Sequence, residues 1–112
     1  MLRETRLKKG YSLRKFAVMV GISPTYLSLV EMGKVDSPPT VVRVRKMAEL
    51  LGENPDTWIA LAGRMPEDLQ AIIKKEPEEM PELLRAVKGM TAEELRNLTR
   101  NIQKKKQKGK RT

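Results

Sequence analysis

Residues 12–33, SLRKFAVMVGISPTYLSLVEMG, carry two sets of helix start and stop signals back to back. Ser12 suits an N-cap, because its hydroxyl can accept from amides that the first turn of a helix leaves free. Gly21 suits the left-handed residue that ends such a helix. Ser23 and Pro24 follow as a second N-cap with proline at the first helical position, where its missing N–H costs nothing. A helix, a sharp corner and a second helix follow from these residues.

Periodicity sorts the faces. Leu13, Phe16, Ala17 and Val20 recur at i, i+3, i+4, i+7, which turns Arg14 and Lys15 outward. Two cations in a first turn oppose the helix dipole unless an anion is near. Ser12, Arg14, Lys15 and the free amides of that turn together suit one phosphate. In the second helix Tyr26 or Leu27, Val30 and Glu31 share the inward side, leaving Pro24, Thr25, Ser28 and Leu29 outside. Small polar groups with one leucine make a poor protein-docking face, yet they match the hydrogen bonds and methyl contacts that read base edges.

The flanks supply what two short helices need in order to be stable. Residues 2–9 form a first helix with Leu2 and Arg6 on one side and Gly10 as its stop. A helix from about Thr40 carries Val41, Val44, Met47, Ala48 and Leu51 as its stripe, with Arg43, Arg45 and Lys46 outside and Gly52 as the stop. Asn54 and Pro55 open a fifth, in which Trp58, Ile59, Leu61 and Ala62 close the core before Gly63. The single tryptophan reads as a core plug, and with so few aromatics a platform for stacking single-stranded bases is disfavoured.

The net charge of +9 and the pI of 10.0 make polyanions the expected partners. With neither cysteine nor histidine, disulfides, thiolate metal sites, the usual zinc ligands and the commonest general base are excluded. Carboxylates such as Glu78 and Glu79 are scattered at helix ends rather than paired around a pocket, so the chain reads as no enzyme and needs no cofactor. No membrane-spanning run and no apolar leader are evident, and a cytoplasmic, nucleoid-associated protein is expected.

Charge also divides the chain. Residues 1–63 hold ten Lys and Arg against six Asp and Glu, residues 64–101 seven against eight, and residues 102–112 six against none. The expected organisation is a head over 1–63, a helical extension over 64–103 and a flexible basic tail over 104–112. Within the extension, helices are expected from Pro66 to about Lys75, from near Pro81, and from a capping box of Thr91 with Glu94. Their stripes, among them Leu69, Ile72, Leu83, Leu84, Leu95 and Ile102, are thin for an independent core. They suit packing on the head, on a second copy, or both. The tail would add salt-sensitive attraction to phosphates.

The run GISPTYLSLVEMGK, preceded by KKGYSLRKFAVMV and followed by PPTVVRVRKMAELLGENPDTW, resembles the Cro/repressor-type helix-turn-helix family, also called lambda-repressor-like or xenobiotic-response-element. The resemblance covers about residues 2–63 and implies an all-α, five-helix domain whose third helix enters the major groove of double-stranded DNA. It implies base-reading positions at Ser23, Thr25, Ser28 and Leu29, and phosphate-binding positions at Ser12, Arg14, Lys15, Lys34, Thr40 and Arg43. It implies a structural ion pair between Arg6 and Glu31. Leu13 and Leu29 replace polar residues common in relatives, so methyl contact and shape readout are expected to outweigh direct hydrogen bonds. The loop VDSPP is long for the family, and its tip alters half-site spacing or is slack. The function implied is a sequence-specific transcriptional regulator, a repressor acting as a homodimer, with its effector unspecified. The alternatives are an antitoxin or other regulator whose extension docks a second protein, and a coactivator module that does not read DNA.

Overall fold

The computed structural model describes residues 1–110, and these form eight helices: α1 (Leu2–Lys8), α2 (Leu13–Val20), α3 (Pro24–Glu31), α4 (Val41–Leu51), α5 (Pro55–Leu61), α6 (Glu67–Lys75), α7 (Glu79–Ala86) and α8 (Ala92–Lys110). The all-α architecture expected from the sequence is therefore the one found. Two compact units divide the chain, one from Met1 to Gln70 and the other from Ala71 onward. The first unit thus runs past Gly63, taking in Arg64, Pro66 and the start of α6.

In the first unit the caps form where the residue types put them. Ser12 Oγ accepts from the Lys15 N–H at 3.1 Å, Ser23 Oγ from Tyr26 at 3.0 Å and Asn54 Oδ1 from Thr57 at 3.0 Å. Gly21, at φ 87°, ends α2 in the left-handed conformation, and the Ile22 N–H donates back to Ala17 O at 3.0 Å. Gly33 ends α3 the same way, with the Lys34 N–H donating to Leu29 O at 2.9 Å. Local bonds thereby shape the corner between α2 and α3.

The core is drawn from the predicted stripes. Phe16, Ala17 and Val20 meet Leu27, Val44, Met47, Ala48, Leu51, Trp58 and Ile59, and Leu2, Leu13, Val41 and Ala62 pack partly buried around them. Trp58 is the core plug expected. Leu61 is not a core residue, being 64% exposed. The inner stripe of α5 runs through Pro55, Trp58, Ile59 and Ala62, and Leu61 falls beside it.

Arg6 and Glu31 meet at this core's edge, both side chains nearly buried. Arg6 Nε donates to Glu31 Oε2 at 2.7 Å and Nη2 to Oε1 at 3.1 Å, a two-point pairing, while Nη1 donates to Tyr11 O at 2.9 Å. One guanidinium therefore joins α1, the turn after it and the end of α3. The hydrogen bonds that Arg6 donates to Glu31 raise the Arg6 pKa against the opposing effect of burial. Arg6 stays cationic at any pH the fold meets.

Beyond the first unit three features differ from the sequence expectation in extent. Helix α6 begins at Glu67, with Pro66 before it accepting from Leu69 and Gln70 at 3.1 Å. Helix α7 begins at Glu79, ahead of Pro81, because proline anywhere in a first turn sits among amides that lack intrahelical partners. Helix α8 opens on the expected capping box, Thr91 N–H to Glu94 Oε1 and Glu94 N–H to Thr91 Oγ1, each 3.1 Å. It then continues to Lys110, through residues assigned above to a flexible tail. Lysine and glutamine are good helix formers, and extending an established helix needs only one further bond per residue. Arg111 and Thr112, the end of that tail, lie outside the described residues.

The buried pair makes a stability prediction. Arg6→Met strands the Glu31 carboxylate and lowers the unfolding free energy by about 3–5 kcal/mol. Arg6→Met combined with Glu31→Leu recovers much of that loss. Urea unfolding monitored by circular dichroism decides it, and a double variant as weak as the single one would refute this account.

Candidate nucleic-acid interface

Helix α3 lies on the surface with Leu27 as its anchor in the core. Of the outward residues Thr25 is exposed, and Ser28 and Leu29 are half-exposed. Leu13 at the start of α2 comes beside them. Together with Pro24 and Met32 they line a shallow, mainly apolar depression of about 360 Å³. A lining that combines two leucines with two hydroxyls suits a base edge bearing a methyl group. Leu13 entered the sequence reading as a core residue, and its half-buried place at the helix junction gives it this second surface.

Arg14 and Lys15 are exposed beside the N-terminal turn of α2, and Lys34 is exposed just after α3. These three cations have no part in the core. The remaining predicted positions have work inside the protein. Ser12, Ser23 and Thr40 are N-caps, Thr40 Oγ1 accepting from the Arg43 N–H at 3.4 Å. A capping hydroxyl keeps its own hydrogen to donate.

Arg43 is turned back toward the helix-turn-helix rather than left free. Its Nη1 donates to Val20 O at 3.2 Å and also to Gly21 O. The cation thus meets carbonyls that the end of α2 leaves without helical partners, where the dipole is negative. A side chain at position 21 would disturb this, since its Cβ would stand 2.8 Å from Arg43 Nη1. Gly21 is therefore needed for its positive φ, and a Cβ there would also displace the tip of the Arg43 side chain.

Residues 34–40 connect α3 to α4 and are not slack. The Arg64 guanidinium lies against them, Nη2 donating to Pro38 O at 2.6 Å and Nε to Pro39 O at 3.2 Å. Between this segment and α3 is a second depression, of about 470 Å³, lined by Tyr26, Leu29, Lys34, Thr40 and Arg64 among others. Sequence reasoning missed Arg64, because nothing local connects position 64 to a pair of prolines 25 residues away. Among the described residues no cluster of three or more carboxylates could hold a metal ion, and no helix is long and apolar enough to cross a membrane.

The bonds of Arg43 predict an effect without any ligand. Arg43→Met keeps the aliphatic stem but removes the donors, and lowers stability by about 1 kcal/mol. Chemical unfolding checks this, and an unchanged midpoint would mean that the bonds contribute nothing to the free protein.

Comparison with known proteins places this geometry. No curated protein matches the chain. Among solved structures, a chain from a complex of SinR protein with SinI protein aligns over 95% of this chain and 94% of that chain, at 18% identity and a TM-score of 0.47. That likeness is too loose to transfer any detail. The family model described as helix-turn-helix matches residues 2–58, just over half of the chain and all of the first five helices but the end of α5. The chain belongs to the Cro/repressor-type helix-turn-helix family of DNA-binding transcription regulators.

Proposed function

We propose that the chain is a sequence-specific repressor that binds double-stranded DNA in the cytoplasm as a homodimer and acts by occupying promoter sites. The observation that carries this reading is the outer face of α3. Thr25, Ser28 and Leu29 lie together with Leu13 around one depression, and cations flank them in the sequence at Arg14, Lys15 and Lys34. Such an arrangement suits α3 to the major groove, with Thr25, Ser28 and Leu29 against base edges and the cations on phosphates. Ser23 and Ser12 contribute through the hydroxyl hydrogen that capping leaves to them. Thr40 and Arg43 set the start of α4 and the end of α2, and their phosphate contacts are made from those fixed positions.

The homodimer is supported by the second unit and by the usual pairing of half-sites about one DNA turn apart. Leu83, Leu84, Leu95 and Ile102 are each between 38% and 47% exposed on α7 and α8. Apolar side chains recurring on successive helices suit an isologous contact with another copy. The same surface would serve a regulator that docks a different protein, and oligomeric state separates the two.

Two measurements test this reading. Selection of duplexes from a random pool should yield a symmetric motif. On that motif Lys34→Ala weakens binding to all sites alike and lowers the salt slope by about 1. Thr25→Ala and Ser28→Ala instead change the preference among sites. Equal affinity for every duplex would overturn sequence-specific reading. Sedimentation of a chain lacking residues 76–112 should give a monomer where the full chain gives a dimer. An unchanged oligomeric state would remove α7 and α8 from the interface.

A further inference from the structure

Arg64 stands between α5 and α6, and its backbone is held by the end of α5 through its own N–H, which donates to Ile59 O at 3.0 Å. From that fixed base the side chain reaches the segment joining α3 to α4. Nη2 donates to Pro38 O at 2.6 Å and to Ser37 Oγ at 3.4 Å, and Nε donates to Pro39 O at 3.2 Å. The segment has little else to hold it by hydrogen bonding. Pro38 and Pro39 have no N–H, and among the described residues no amide of residues 35–40 donates to a backbone carbonyl. A planar fork fits these acceptors together, as a single ammonium cannot.

We propose that Arg64 is a positioning residue for DNA binding. By fastening residues 37–39 to the end of α5, it sets Lys34 and the N-terminus of α4 at a fixed separation, so that both meet duplex phosphates at once. Arg64 acts through the segment, without touching the DNA. This inference rests on the DNA-binding reading above, in which Lys34 and Thr40 lie on phosphates. It assigns a role in binding to a residue outside the stretch that the family model matches. Without the fork the segment must be ordered at the moment of binding, and affinity falls by that cost.

The test uses the full chain and a duplex selected from a random pool, with dissociation constants for wild type, Arg64→Ala, Arg64→Lys, Lys34→Ala and the Lys34→Ala, Arg64→Ala double variant. Arg64→Ala should bind about tenfold more weakly, a change of about 1.4 kcal/mol. Arg64→Lys should remain close to Arg64→Ala, and in the Lys34→Ala background Arg64→Ala should add less than about twofold. Binding of Arg64→Lys at wild-type strength would mean a simple charge contact and would overturn the proposal. Losses that multiply in the double variant would overturn it too. Backbone order parameters of the free protein, from 15N relaxation, are a second readout, using Arg64→Gln should the alanine variant not fold. Order at residues 35–37 and 40 should fall while Val44 and Met47 are unchanged, and unaltered order in the segment would refute the clamp. If Lys34→Ala weakens binding while Arg64→Ala does not, the clamp alone fails. If wild type enriches no duplex, the DNA-binding reading fails and the clamp's role falls with it.

Discussion

The pairing of Arg6 with Glu31 is the interaction on which the head depends. Helix α1 is too short to be stable alone, and the outer face of α3 must be left uncommitted if it is to meet a ligand. Both requirements are met by one guanidinium that bonds to the last residue of α3 and to Tyr11 O after α1. Nearly buried ions are costly, and the cost is offset here because the Arg6 donors toward Glu31 and Tyr11 all find acceptors. The pair tethers α3 from behind, at its C-terminal end, while Leu27 fills the core beneath its middle. Orientation of the helix is thus fixed without using its outward side chains.

The same economy governs the helix ends. Ser12, Ser23, Thr40 and Asn54 each occupy one free amide at a helix start. Arg43 then supplies the opposite function, a cation on the carbonyls where α2 ends. The corner of the helix-turn-helix is therefore closed by its own local bonds on one side and by α4 on the other. Small domains have few apolar contacts to spend on positioning, and here directed hydrogen bonds do much of it.

What was legible in the sequence was what is local. Caps, stops and the stripes of α2 and α4 follow from residue types at short spacing, and the core expected from the sequence is the core observed, Leu61 and Val30 excepted. Pairings across the chain were harder to see. Arg43 reads as an outward cation on its helix, yet it bonds to residues 22 and 23 positions earlier. Arg64 reads as the start of an extension, yet it anchors a loop 25 to 27 positions earlier. Long flexible side chains reach partners that periodicity cannot specify. The start of α7 was misplaced for a different reason, since proline is tolerated throughout a first turn and does not mark its first residue.

The outer residues of α3 have a further consequence. Thr25, Ser28 and Leu29 lie outside the buried core, whereas Leu27 and Glu31 of the same helix hold it in place. Positions that hold the helix and positions that face outward are thus interleaved in one short run but energetically separate. Substitution on the outer face leaves the fold nearly as stable, so a duplicated copy of such a head can drift to a new recognition sequence through folded intermediates. The architecture permits diversification without loss of the scaffold.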